Sequence, residues 1–153
     1  MPNWCANNLT IEHEDSAMVD RFVKAYNEGN TCNEFIPKPE NIGEGWWDFC
    51  VSNWGTKWDI GCDNDQRYGL KPTRVGNQVT VTFDSAWSPP IGLYQELDDL
   101  GFMVSATYFE PGMGFCGKWY DGNDEYYEGG IENFPEDLIE EYNMTEFYDE
   151  VEM

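Results

Sequence analysis

Positive charge is what this chain has least of. Only eight of its 153 residues are Lys or Arg, against thirty Asp or Glu, a formal net charge of -22. Affinity for polyphosphates comes largely from Lys and Arg that displace counterions. The balance therefore argues against direct nucleic-acid binding, and an anionic membrane surface repels the chain for the same reason. A single histidine, His13, sits between Glu12 and Glu14. It reads as a solvent-exposed residue at a strand end and leaves no basis for a histidine-rich metal site. A Cys–His nucleophile would need Cys5 or another thiol folded against it.

The five cysteines (Cys5, Cys32, Cys50, Cys62, Cys116) form no CxxC pair, so neither a zinc ribbon nor an iron–sulfur cluster is legible. No apolar run has the length of a membrane span or a signal sequence. A reducing cytoplasm is expected, with thiols mostly unoxidised.

Hydrophobic residues make up 41 % of the chain and aromatics 16 %, enough for a real core and too much for wholesale disorder. The length suits one domain with an extension. Leu9 and Ile11 share one face of an extended segment over 5–12. Asp15 or Ser16 can cap a following helix that Gly29 ends, with Met18, Val19, Phe22, Val23 and Tyr26 as its apolar stripe. Prolines and glycines predict loop over 30–45. A short helix near 46–53 and a strand near 57–62 are expected next. Val79, Val81 and Phe83 alternate with Thr80 and Thr82 over a strand at 78–84, after a Gly76-Asn77 turn. Pro89-Pro90 opens a helix carrying Tyr94, Leu97 and Leu100 and closing at Gly101. Residues 102–109 read as a strand buried on both faces, and a protruding hairpin is expected after Pro111.

Strand, helix, strand, strand, helix, strand is the split βαβ, or ferredoxin-like, order. The expected fold is α+β, an antiparallel sheet with two helices on one face. A C-terminal hairpin and an acidic tail helix near 135–143 follow. The domain is drawn at 1–118 and the acidic, aromatic-rich extension at 119–153. That extension holds thirteen acids and no base, whereas 1–118 holds seventeen acids and eight bases.

Several patterns imitate chemistry and fail on spacing. Asp121, Asn123, Glu125 and Glu132 match calcium-loop positions one, three, five and twelve, but Tyr126 stands where the sharp turn needs glycine. Asp63-Asn64-Asp65 reads as a turn. The segment Glu110–Lys118 lacks the GxxxxGK[ST] spacing of a phosphate cradle. Asp98-Asp99 and Glu140-Glu141 read as solvated helix faces. Trp46, Trp47, Trp54 and Trp58 could stack bases or sugars, but single-strand binders pair aromatics with a basic groove and only Lys57 lies nearby; they are assigned to the core. No metal, cofactor or catalytic residue is assigned.

Five ordered segments look familiar together: Pro2-Asn3-Trp4-Cys5 with Asn8-Leu9-Thr10-Ile11; Asn53-Trp54-Gly55-Thr56-Lys57-Trp58-Asp59; Phe83-Asp84-Ser85-Ala86-Trp87-Ser88-Pro89-Pro90; Tyr108-Phe109-Glu110-Pro111-Gly112; and Phe115-Cys116-Gly117-Lys118-Trp119. Over about residues 2–120 the chain resembles the YubB-like family of phage and conjugative-plasmid proteins. The resemblance implies a ferredoxin-like fold without an iron–sulfur cluster, a mobile-element origin and a bacterial host cytoplasm. It implies no catalytic residue.

Three functions compete. The favoured one is an acidic protein-binding module that inhibits a host nucleic-acid-binding or defence complex by imitating DNA. Its partner-binding residues would be Asp121, Asp124, Glu125, Tyr126, Tyr127, Glu128, Glu136, Asp137, Glu140, Glu141 and Tyr148, carboxylates for steering and aromatics for anchoring. The second is a metal-dependent or hydrolytic enzyme in which Lys57, Asp59, Asp84 and Cys116 converge near the Trp-rich segment. The third is a weak nucleic-acid-binding accessory protein using Lys57, Arg67, Lys71, Arg74 and Lys118 as a basic strip.

Overall fold

The computed structural model describes residues 4–62 and 71–145, and in it a single sheet separates two unequal layers of packing. Strand β1 (Trp4–Glu12) buries Cys5, Asn7, Leu9 and Ile11, leaving Ala6, Asn8 and Thr10 for the opposite face. Helix α1 (Ser16–Asn27) starts where Asp15 accepts a hydrogen bond from the Ala17 N–H, 2.9 Å, and ends before Gly29 at φ 70°. Its Val19, Phe22, Ala25 and Tyr26 are buried against the sheet.

The segment expected to be loop holds a short helix, α2 (Thr31–Phe35). A long-range contact builds it: Asp59 accepts hydrogen bonds from the Cys32 and Asn33 N–H groups at 2.6 and 3.0 Å. Helix α3 (Trp46–Phe49) continues into a π turn over Cys50–Trp54, closed by Gly55 at φ 90°. The strand expected near 57–62 is absent. Asp59 spends its side chain on α2, Thr56 donates to the Ala86 carbonyl at 2.8 Å, and Gly61 turns the backbone at φ 144°. Buried Ile60 thus anchors an irregular crossing over the helices.

Strand β2 (Thr73–Val75) is exposed and pairs with β3 (Gln78–Ala86), which buries Val79, Val81 and Phe83 as the alternation predicted. Helix α4 (Ile91–Asp99) buries Leu93, Tyr94 and Leu97, and Gly101 at φ 96° follows its end. Leu100 stays outside the core. Strand β4 (Met103–Glu110) is buried on one face over its first half; both faces are covered only from Tyr108 onward. Strands β5 (Phe115–Tyr120) and β6 (Asn123–Glu128) meet at Asp121-Gly122, with φ 49° and 81°, a two-residue turn of the Asp-Gly kind. They extend the main sheet instead of protruding, and position 118/119 falls inside β5. All neighbours are antiparallel in the order β2-β3-β1-β4-β5-β6.

The protein is therefore α+β. The larger core lies between the sheet and α1 and α4, uniting Leu9, Ile11, Phe22, Val81, Leu97, Val104 and Trp119. A helix outside the expected pair covers the other face: α5 (Glu136–Glu141) seats Leu138, with Phe134 and Met144, on Phe109 and Cys116. His13 directly follows β1 and is partly exposed, and it also holds the structure together. Its Nδ1 accepts from the Asp15 N–H at 2.9 Å, Nε2 lies 3.0 Å from the Leu100 carbonyl oxygen, and the ring meets Phe102 edge-on. No helix among the described residues is long and apolar enough to cross a membrane.

The five cysteines form no disulfide. Burial pushes the Cys5, Cys32 and Cys50 thiols up, and that of Cys116 up to about 11, so each stays protonated at pH 8. Only Cys62 is partly exposed. One thiol per chain is expected to react rapidly with a disulfide reagent at pH 8 and four only on unfolding; mass spectrometry of the native adduct should place it at Cys62.

Candidate functional site

Strand β6 is the last strand of the sheet, and five of its six residues are exposed. The pleat sends Asp124, Tyr126 and Glu128 to the α4 side and Asn123, Glu125 and Tyr127 to the α5 side. Asp121 occupies the turn. Of the expected partner residues, Asp121, Asp124, Glu125, Tyr126, Tyr127 and Glu128 thus share one margin of the sheet, with differing local roles. Tyr126 packs against Phe115 at a tilt of 34°, centroids 5.4 Å apart, and donates to Glu128 at 3.0 Å. Tyr127 packs beside the α5 cluster and donates to Glu125 at 3.4 Å.

On α5, Asp137 pairs with Lys118, whose ammonium holds the carboxyl below its usual range. Glu141 accepts from Asn8 at 2.7 Å and from the Thr107 hydroxyl. These contacts dock the helix on the face formed by β1, β4 and β5, with Glu136 and Glu140 left exposed on it. Tyr148 lies outside the described residues.

Asp124 belongs to a feature the sequence did not reveal. The Tyr108 hydroxyl donates to Asp124 Oδ1 at 2.6 Å, reaching across β5 at Gly117, where a Cβ would lie 2.3 Å from that hydroxyl. Burial, then the carboxylate itself, pushes the Tyr108 phenol far up, so it remains a donor. Tyr108, Phe115, Asp124 and Tyr126 form one wall of a groove of about 280 Å³; Trp87, Pro89 and Ile91 form the other.

Backbone contact sets the second wall. A Cβ on Gly92 would stand 1.9 Å from the Asn53 carbonyl oxygen, and one on Gly55 would stand 2.7 Å from the Ile91 nitrogen. Trp87 is held at φ 70°, a left-handed conformation that bulky side chains avoid and that costs about 1–3 kcal/mol. Such strain gathers at functional positions.

The tryptophans correct the core assignment. Trp54 is buried, its Nε1 donating to the Ile36 carbonyl at 2.8 Å, but Trp47, Trp58 and Trp87 are 44, 40 and 39 % exposed. Trp47 meets Trp87 edge-on, and the Lys57 ammonium lies 4.8 Å from the ring centres of both Trp58 and Trp87.

The enzyme grouping comes together only in part: Lys57 and Asp59 line one pocket with Trp46, Trp54 and Trp58, without Asp84 or Cys116. Lys57 is held by indoles, and both Asp59 oxygens serve backbone N–H groups. Burial nonetheless pushes the Asp59 carboxyl up. Asp84 and Cys116 lie in one cross-strand row with β1 and β4 between them. Of the basic strip, Arg74 pairs with Asp20 and Lys118 with Asp137, and Arg67 lies outside the described residues. Among the described residues no three His, Cys, Asp or Glu side chains are grouped to hold a metal ion. Against known proteins, no family model, no curated protein and no solved structure matches this chain.

Proposed function

We propose that the chain is an acidic protein-binding module of a mobile element that inhibits a host nucleic-acid-binding or defence complex by occupying its basic groove. The observation that carries this reading is the exposed terminal strand β6, with carboxylates on both faces; the docked α5 adds exposed Glu136 and Glu140 to the same end of the chain. Fixed anionic groups on a folded margin raise association rates with a basic surface and repel polyphosphates.

The strand order β2-β3-β1-β4, with α1 and α4 in the connections, supports a ferredoxin-like core to which β5 and β6 are added. The five family-like segments support a YubB-like relationship and, through it, action in a bacterial cytoplasm.

Affinity capture of the tagged chain from bacterial lysate, washed at low salt and eluted at high salt, should yield a nucleic-acid-binding protein. Duplex DNA should compete for it. Affinity for that protein is expected to fall at least roughly tenfold between about 50 and 500 mM salt. A flat salt dependence, or tight binding of the chain itself to DNA or RNA, overturns the reading.

A further inference from the structure

We infer that the groove between the N-terminal end of α4 and strand β6 is a socket for one arginine side chain, presented by an extended segment of the basic partner. The inference rests on the proposed acidic module and names the contact that would give it specificity.

Rings and carboxylate converge here as a guanidinium requires. Trp87, Phe115 and Tyr126 supply aromatic faces, which attract a cation held over them. Asp124 supplies the counter-charge. Its Oδ1 is oriented by the Tyr108 hydroxyl at 2.6 Å, and among the described hydrogen bonds none uses Oδ2. A planar guanidinium can stack on an indole or phenol and donate to that second oxygen at once, which the compact ammonium of lysine does less well.

The volume, about 280 Å³, suits a single long side chain better than a folded element. Lys57 lies over Trp87 but is held between two indoles and does not line the groove. Gly117 is explained by the same geometry, since a side chain there would break the bond that orients Asp124. The strand beside the groove adds selectivity. Like-charged β6 strands from two copies repel one another, while a basic strand is attracted.

The test uses the full chain and a fluorescent, capped peptide of alternating threonine and arginine, read by anisotropy at 150 mM salt. Comparison peptides carry lysine or neutral citrulline in place of arginine. Asp124→Asn keeps an acceptor for Tyr108, and Tyr126→Leu keeps bulk while removing the ring; circular dichroism confirms that both fold. Each is expected to weaken the arginine peptide at least tenfold. The Glu136→Gln/Glu140→Gln double variant, which loses more charge, should weaken it less than threefold. Citrulline should abolish binding and lysine reduce it severalfold.

Equal losses for Asp124→Asn and the α5 double variant, or unchanged binding by Tyr126→Leu, overturn the socket and leave the acidic-module reading standing. Failure of every basic peptide to bind at 50 mM salt, alongside failure to capture a basic protein, removes both.

Discussion

Gly92→Ala is expected to lower the melting temperature by roughly 5–15 °C, a loss of about 2–4 kcal/mol in a domain of this size. Alanine normally stabilises a helical position by about 1 kcal/mol over glycine, so the sign of the change is diagnostic. Here the added methyl would sit 1.9 Å from the Asn53 carbonyl oxygen and 2.7 Å from its carbon. Both are backbone atoms, and no rotamer change removes them. The π turn would have to lift off α4, taking buried Trp54 and the Ser88–Gly55 hydrogen bond with it. Gly45→Ala is the control. Its φ is -76°, its nearest neighbour would be Ile42 Cγ1 at 3.5 Å, and its effect should stay within about 0.5 kcal/mol. Thermal unfolding of the two variants, followed by near-ultraviolet circular dichroism, measures the difference. A Gly92→Ala protein as stable as the parent would mean that α4 and the Trp-rich turn are not packed backbone to backbone.

The same pair of glycines shows where sequence reading stops. Local periodicity places β1, α1, β3, α4 and β4, because each element buries a stripe that its own residues define. Asp59 is different. Its value lies in capping a helix that starts 28 positions earlier in the chain, and nothing near residue 59 announces this. Gly92 looks like a weak point in a helix until Asn53 is seen behind it.

The acidic margin was legible as charge, since residues 119–153 contain no Lys or Arg. Its geometry was not. Tyr108 and Asp124 lie 16 positions apart, and only the β4–β5–β6 register brings the hydroxyl to the carboxylate. Nothing in the sequence around Trp87 marks it as exposed, because its exposure goes with the left-handed backbone at φ 70°. The assignment of Trp47 and Trp58 to the core failed for a related reason: composition says that an indole is apolar, not which side of a turn it leaves.

Leu138→Ala is expected to cost about 2–5 kcal/mol, and mainly to the second face of the sheet. Helix α5 has six residues, far short of the length at which a helix holds itself in water. It is held by burial of Leu138 with Phe134 and Met144 against Phe109 and Cys116, and by the polar contacts of Asp137 and Glu141. Exposed ion pairs add little on their own, so the apolar contact decides. The larger core uses none of these residues. Cleavage by a protease within 129–145 should therefore accelerate by tenfold or more, while near-ultraviolet signals from the α1 and α4 side persist. The net charge stays at -22 in this variant, and only the arrangement of Glu136, Asp137, Glu140 and Glu141 is lost. Affinity for the captured basic partner should then fall at least fivefold at 150 mM salt. If it does not fall while α5 is demonstrably released, the carboxylates act as a diffuse polyanion and their fixed spacing on the fold has no part in recognition.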